Sequence, residues 1–375
     1  MQNVGMSTTA PTSPDQSLFT RIGATARTTE SRALLIASAA FVLAFAVALL
    51  GVGARSLPIS GAWSLGAWAA VVSAVTAAAA FAVGYLLPSP GATRRERPEN
   101  SIPRLVVDIV ALALAHGFTT LLLLQGISIV VAQAFLGAVV FPLSSMLLIG
   151  ASAAMAAYVA FLSASGMTTT RVASVLAVYL VVGVFAAMLS TSDADWWQKN
   201  ISALGVGDDY SSRVFTITLV VAGAVLTAIA RYLTVELEAS GMARSARDTD
   251  PEQEKRRIRL VRGALMLLGV FLALVGVFPV SWVEWVHNTF ATGLVVIFAG
   301  MVALLRRLVP RVPAVFVTVG YVFLAVVLGA SVLFLLGIYN LTAVEIIGFA
   351  LIFTWLIVLI RNISAGADDR ASASG

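Results

Sequence analysis

Apolar residues run almost without a break in stretches of 18 to 23 residues, and short polar segments separate them from residue 33 to residue 361. A helix rises 1.5 Å per residue, so about 20 apolar residues cross the roughly 30 Å of a bilayer's hydrocarbon. The pattern predicts ten spans, at 33–53, 67–87, 105–125, 143–163, 172–190, 214–234, 263–280, 286–305, 314–336 and 343–360. No alternating ten-residue pattern of a β-barrel is present, so the expected fold is an all-α polytopic transmembrane bundle. All twelve prolines fall in loops or at span ends, which leaves each span an unbroken helix. Small residues such as Ala77 to Ala80 and Gly150 to Ala154 allow helices to pack closely.

Leu105 to Val140 is apolar for 36 residues, too long for one span and too short for two with a turn. Charge resolves it. With ten spans, 21 of the 24 Lys and Arg residues share one side, and only Arg55, Lys199 and Arg213 lie on the other. An eleventh span over 127–140 would turn this split into 9 against 15. Ten spans are therefore expected, with both termini in the cytoplasm of a cytoplasmic-membrane protein, and 127–140 becomes an interfacial or re-entrant helix on the outer side. Acids sharpen the asymmetry: the inner side carries 13, for a net of +8, and the outer side 6, for a net of −3.

Residues 1–32 read as a disordered cytoplasmic tail rather than a cleaved signal peptide, because no small-residue cleavage site follows the first apolar run. Residues 33–165 form a four-span module, 170–361 a six-span module, and 362–375 a second cytoplasmic tail. The 59% hydrophobic and 11% charged content fits this membrane class. Zero Cys excludes disulfides, thiolate metal sites and Cys nucleophiles. Arg outnumbers Lys by 22 to 2, a bias of a high-GC, bacterial genome. The high isoelectric point belongs to topology, since no basic stripe for nucleic acid exists. Lys255 to Arg259, beside a span, would attract anionic lipid at about 1 kcal/mol per basic residue.

Within the spans the charged residues are Asp108, Arg231 and Glu345, each near an end. Asp108 lies four residues after Arg104 and is placed to pair with it along one helix face. Glu345 completes Thr342-x-x-Glu345, the pattern of a capping box. His116 lies about 17 Å into the third span, either as a helix-to-helix hydrogen-bonding group or as a proton relay. His287, at the outer surface, differs from it in depth by roughly 10 Å, which disfavours a haem held between the two.

The outer side holds the most unusual polar group. Glu284, His287, Asn288 and Thr292 share one stripe of a helix. The loop from Ser192 to Gly205 is predicted as a short amphipathic helix, started by Ser192 and Asp195, stopped by Gly205, with Trp197, Ile201 and Leu204 on its apolar face. Trp196 and Trp197 would serve as an interfacial anchor or as a lid over a ligand. Trp196, Trp197, Asn200, Glu284, His287 and Asn288 are the candidate ligand-binding residues.

The run from Asp195 to Gly205, followed by Ser211 and Phe215, resembles the family called domain of unknown function 998, as does His287-Asn288-Thr289-x-Ala291. The resemblance covers roughly residues 170–361, so the first four spans look like an added module. It implies a six-helix unit distantly related to the DRAM/Frag/Sfk group, whose members are linked to membrane lipid organisation. Phe215-Thr216 departs from the Phe-Asn of the family pattern.

No phosphate-binding loop, zinc-protease motif or nucleophile elbow occurs, and no nucleotide, metal or other cofactor is expected. The sequence points to a non-enzymatic protein that binds membrane lipid or organises the envelope through an outer polar site. The alternatives are a secondary transporter for a small amphiphile using His116, and an enzyme acting on a lipid headgroup through Asp193, Asp195 or Glu284.

Overall fold

The computed structural model describes residues 14–87, 102–241 and 251–373. Its helices are α1 (Pro14–Val52), α2 (Leu65–Leu86), α3 (Ile102–Ala134), α4 (Pro142–Ser165), α5 (Thr169–Ser190), α6 (Trp196–Lys199), α7 (Tyr210–Ser240), α8 (Pro251–Val277), α9 (Glu284–Leu308), α10 (Ala314–Leu335) and α11 (Leu341–Ala373). All but the single-turn α6 are long and apolar enough to cross a membrane, which makes ten candidate spans, and the chain is a multi-pass membrane protein. The only strands among the described residues are β1 (Leu57–Pro58) and β2 (Val139–Val140), an antiparallel pair joining two loops at one face.

Polar residues at span ends satisfy backbone N–H groups that a helix start leaves unpaired. Ser64 accepts from the Ala67 N–H, Thr168 from the Arg171 N–H, and Asp209 from the Ser212 N–H. At the other end of α7, Gly241 takes the left-handed conformation and donates its N–H to Leu237. Between spans, small residues let backbones touch: a Cβ at Gly223 would stand 2.3 Å from the Gly269 carbonyl, so α7 and α8 pack backbone to backbone. One buried core runs from Ala33 in α1 through Phe81, Phe161 and Tyr179 to Trp355 in α11.

Two expectations change. Residues 127–140 do not form a separate interfacial or re-entrant helix. Instead α3 continues to Ala134 and the chain turns through Gly137 (φ 71°) into β2. A single Gly126 costs a helix only about 1 kcal/mol, too little to break one that enters it through Leu121 to Gln125, and the chain turns only where Gly137 takes up a positive φ. At the N-terminal end, 14–32 continue α1 rather than forming a disordered tail, while residues 1–13 lie outside the described residues. Asp108 pairs with Arg231 of α7, whose Nε donates to Asp108 Oδ2 at 3.2 Å and whose Nη2 meets Oδ1. The Arg104 side chain lies outside the described residues. Beside the ion pair, the hydroxyls of Tyr85 in α2 and Tyr232 in α7 are hydrogen-bonded. Both contacts tie the first four spans to α7.

Ten crossings bring the start of α1 and the end of α11 to the same face. At the opposite face lie Trp63, Trp68, Trp196, Trp197, Trp282 and Trp285, four of them exposed (Trp63, Trp197, Trp282 and Trp285). Ring and N–H of Trp suit the boundary between hydrocarbon and headgroups. This aromatic face holds the candidate site.

Candidate functional site: a cavity under the aromatic face

Below the aromatic face, α5, α7, α8, α9, α10 and α11 surround a cavity of about 510 Å³. Its deep walls are apolar: Leu219 and Leu226 of α7, Leu268 and Leu272 of α8, and Phe349, Ile352 and Leu356 of α11. Its polar lining consists of Ser202, Asn288, Thr292, Ser331 and Glu345. The Ser331 hydroxyl donates to its own helix at the Val327 carbonyl, 2.9 Å away, which leaves four polar groups clustered toward the aromatic face.

A strap of two short turns closes that end. The amphipathic helix expected over Ser192 to Gly205 is not continuous. α6 ends after one turn at Asn200, whose backbone is extended (φ −163°, ψ 162°), and a 3₁₀ turn covers Ile201–Gly205. The break follows from a better set of partners for the backbone. The Ile201 N–H donates to the Glu345 carboxylate at 2.5 Å, and the Ser202 N–H is directed at the same group. Glu345 therefore does not close a capping box with Thr342. Asn340 caps α11 instead, its Oδ1 accepting from the Ala343 N–H at 2.9 Å, while its Nδ2 donates to the Trp197 carbonyl at 2.9 Å. Thr342 Oγ1 is buried with no partner among the described residues, as is Asn200 Oδ1.

His287 locks the strap from the α9 side. Its Nδ1 lies 2.8 Å from the Phe278 carbonyl, which only accepts, so Nδ1 carries the proton. In the neutral ring Nε2 then accepts from the Ser202 hydroxyl at 2.9 Å. The ring is buried, and both nitrogens are engaged. Further along, Ser211 donates to the Ala187 carbonyl at 2.8 Å and Ser212 to the Gly205 carbonyl at 3.0 Å. A Cβ at Gly205 would meet the Phe215 ring at 2.9 Å, so the residue must be small for that ring to reach the cavity.

The stripe on α9 divides. His287 turns into the strap, Asn288 and Thr292 line the cavity where it opens, and Glu284 stays exposed on the first turn without reaching it. Trp196 is half-buried against the core while Trp197 is 53% exposed, so the pair points two ways and neither ring lines the cavity. Asn288 is the one member of the expected six that lines the cavity directly; His287 braces its cover, and Asn200 marks the break between the two turns of that cover. Missing from the sequence reading were Glu345, Ser202 and the apolar walls. Glu345 was the accessible signal: a carboxylate inside an apolar span, with Gly348 one turn deeper.

On the exposed part of the loop, Lys199 pairs with Asp193 at 2.7 Å. Lys199, followed by the Asp195 N–H, holds the Asp193 carboxyl below its ordinary pKa. Asp209 is lowered as well, chiefly by the Ser212 N–H and then by Ser192. Both are solvated structural acids, ill suited to proton transfer near neutral pH.

His116 sits elsewhere, among α2, α3 and α4. Its Nδ1 donates to the Leu112 carbonyl at 2.8 Å, Nε2 faces Ser163 Oγ at 3.0 Å, and Phe81 stacks on the ring at a centroid distance of 4.4 Å. The ring cross-links helices and does not line the cavity.

No family model, no curated protein and no solved structure matches the chain.

Proposed function

We propose that this protein binds a membrane amphiphile without chemically changing it, with the apolar chain in the α5–α11 cavity and the head among Ser202, Asn288, Thr292 and Glu345. The observation that carries the proposal is the cavity itself: apolar along its depth, with its polar lining gathered toward the end covered by the strap. Small-molecule sites are typically 300–1,000 Å³ with a few convergent polar groups, and this one falls inside that range. Its volume suits one aliphatic chain better than a whole two-chain phospholipid.

Gly348 supports the same function. It is buried in α11 and lines the cavity, yet a Cβ added there would meet nothing within 4 Å. Interiors are ordinarily close-packed, so this space is volume kept for something other than protein. The residues behind the family resemblance fit as well: Ile201, Ser202, Phe215, Asn288 and Ala291 line the cavity, and His287 braces it. Under the positive-inside rule the aromatic face is the outer one, so the site would take its ligand from the outer leaflet.

The test is photolabelling with a diazirine-bearing single-chain amphiphile in lipid nanodiscs. Labels concentrated on the α7, α8 and α11 wall peptides are expected. Labels confined to the lipid-facing surfaces of α1 and α10 would refute the proposal.

A further inference from the structure

Resting on the binding function proposed above, we infer the chemistry of the ligand's head: a cationic amine that donates hydrogen bonds to Glu345, carried on a single aliphatic chain. Among the described residues, Glu345 is the only ionisable one lining the cavity, and no Lys or Arg lines it. The charges nearest in sequence on the surrounding elements offer no compensation inside it. Lys199 on the strap is exposed and paired with Asp193, Glu284 on α9 is exposed, and Arg213 at the start of α7 donates to the Asp208 carbonyl. His287 has both nitrogens engaged by Phe278 and Ser202.

The remaining hydrogen-bonding capacity is rich in acceptors. The N–H donors of Ile201 and Ser202 meet the carboxylate from the strap side, and an ionised carboxylate has about four lone-pair sites. Those two donors hold it as an acceptor, with capacity left for a ligand. Asn200 Oδ1, beside the lining residue Ile201, is another buried acceptor, with no partner among the described residues. An ammonium brings up to three donors and the opposite charge to this end of the cavity. A phosphate, sulfate or fatty-acid head would bring a second negative charge next to Glu345 with no cation to offset it, at an apolar site where like charges repel strongly.

The test uses the full chain in phosphatidylcholine nanodiscs and three probes with one chain: oleylamine, oleyl alcohol and oleate, each competing with the diazirine amphiphile. Oleylamine is expected to displace the photolabel at roughly tenfold lower concentration than oleyl alcohol, the size of one charge-assisted hydrogen bond, with oleate weakest. Glu345→Gln keeps an acceptor for Ile201 and should bring the amine-to-alcohol ratio of displacing concentrations close to one. Equal displacement by amine and alcohol, or strongest displacement by oleate, would overturn the headgroup assignment while the cavity function stood. Absence of any cavity labelling to displace would instead sink the binding function. If Glu345→Gln fails to fold, the order of the three probes on the wild-type chain decides alone.

Discussion

The Glu345 carboxylate, one turn inside the last span, accepts the N–H of Ile201, which lies 144 residues earlier in the strap. This contact and the Ser202–His287 hydrogen bond fasten a segment of two short turns across one end of an apolar cavity. Short turns inside an apolar bundle need partners for their backbone groups, and here a span side chain supplies them.

His287→Ala would leave the Ser202 hydroxyl and the Phe278 carbonyl without their shared partner, a loss of about 1–3 kcal/mol for buried groups. The strap should loosen before the bundle melts. Lys199 is exposed on it, so limited trypsin treatment should nick the variant after Lys199 faster than the wild type. Equal nicking rates would show that His287 does not hold the strap.

Asp108→Ala should be among the most destabilising single changes in the molecule. Asp108 is wholly buried against Arg231, and removing one partner of a buried pair leaves the other uncompensated, at about 3–5 kcal/mol. Replacing both residues with apolar ones should recover most of the loss. Thermal unfolding of the purified single and double variants measures both; a double variant no more stable than the single would count against the pairing.

Much of this fold is legible in the sequence, and the reasons are physical. Span number follows from run length and from the sidedness of Arg and Lys, both local properties. What the sequence does not show are partners far apart in the chain. Asp108 pairs with Arg231, a partner in a distant span that it meets because α3 and α7 pack together. In the same way Thr342 sits at capping-box spacing from Glu345, but the strap presents two N–H donors to that carboxylate. The strap's helical period fails at Asn200, since breaking the helix there frees the Ile201 and Ser202 N–H groups for Glu345. Of the α9 stripe, the sequence placed all four residues on one face, and only the neighbours of that face divide them between strap, cavity and solvent.

Asp209 gives a pH dependence with a definite sign. The Ser212 N–H at 2.8 Å and Ser192 hold its carboxyl below the ordinary value near 3.9. A depressed folded-state pKa means the stabilisation is present above about pH 4 and is lost as the pH falls through the folded value. Asp209→Ala should cost about 1 kcal/mol at neutral pH, as for a lost helix cap. Melting curves from pH 7 down to pH 3 should converge for variant and wild type; a constant gap across that range would refute the assignment.

Orientation follows from the same charge asymmetry. A green fluorescent protein fused after Gly375 should fluoresce, and alkaline phosphatase fused there should be inactive, because the arginine-rich face is assigned to the cytoplasm. Active phosphatase at that position would invert the assignment and move the cavity mouth to the cytoplasmic leaflet.

The central claim is that the cavity beneath the strap is a binding site, and Gly348→Leu tests it most directly. The new side chain enters open space beside Phe349 and Ile352, so it should fill the cavity without a steric clash. Native mass spectrometry of protein released from lipid nanodiscs should show a retained single-chain amphiphile on the wild type and its loss on Gly348→Leu, with the variant at least as heat-stable. An identical bound mass on both proteins, or none on the wild type, would contradict the account.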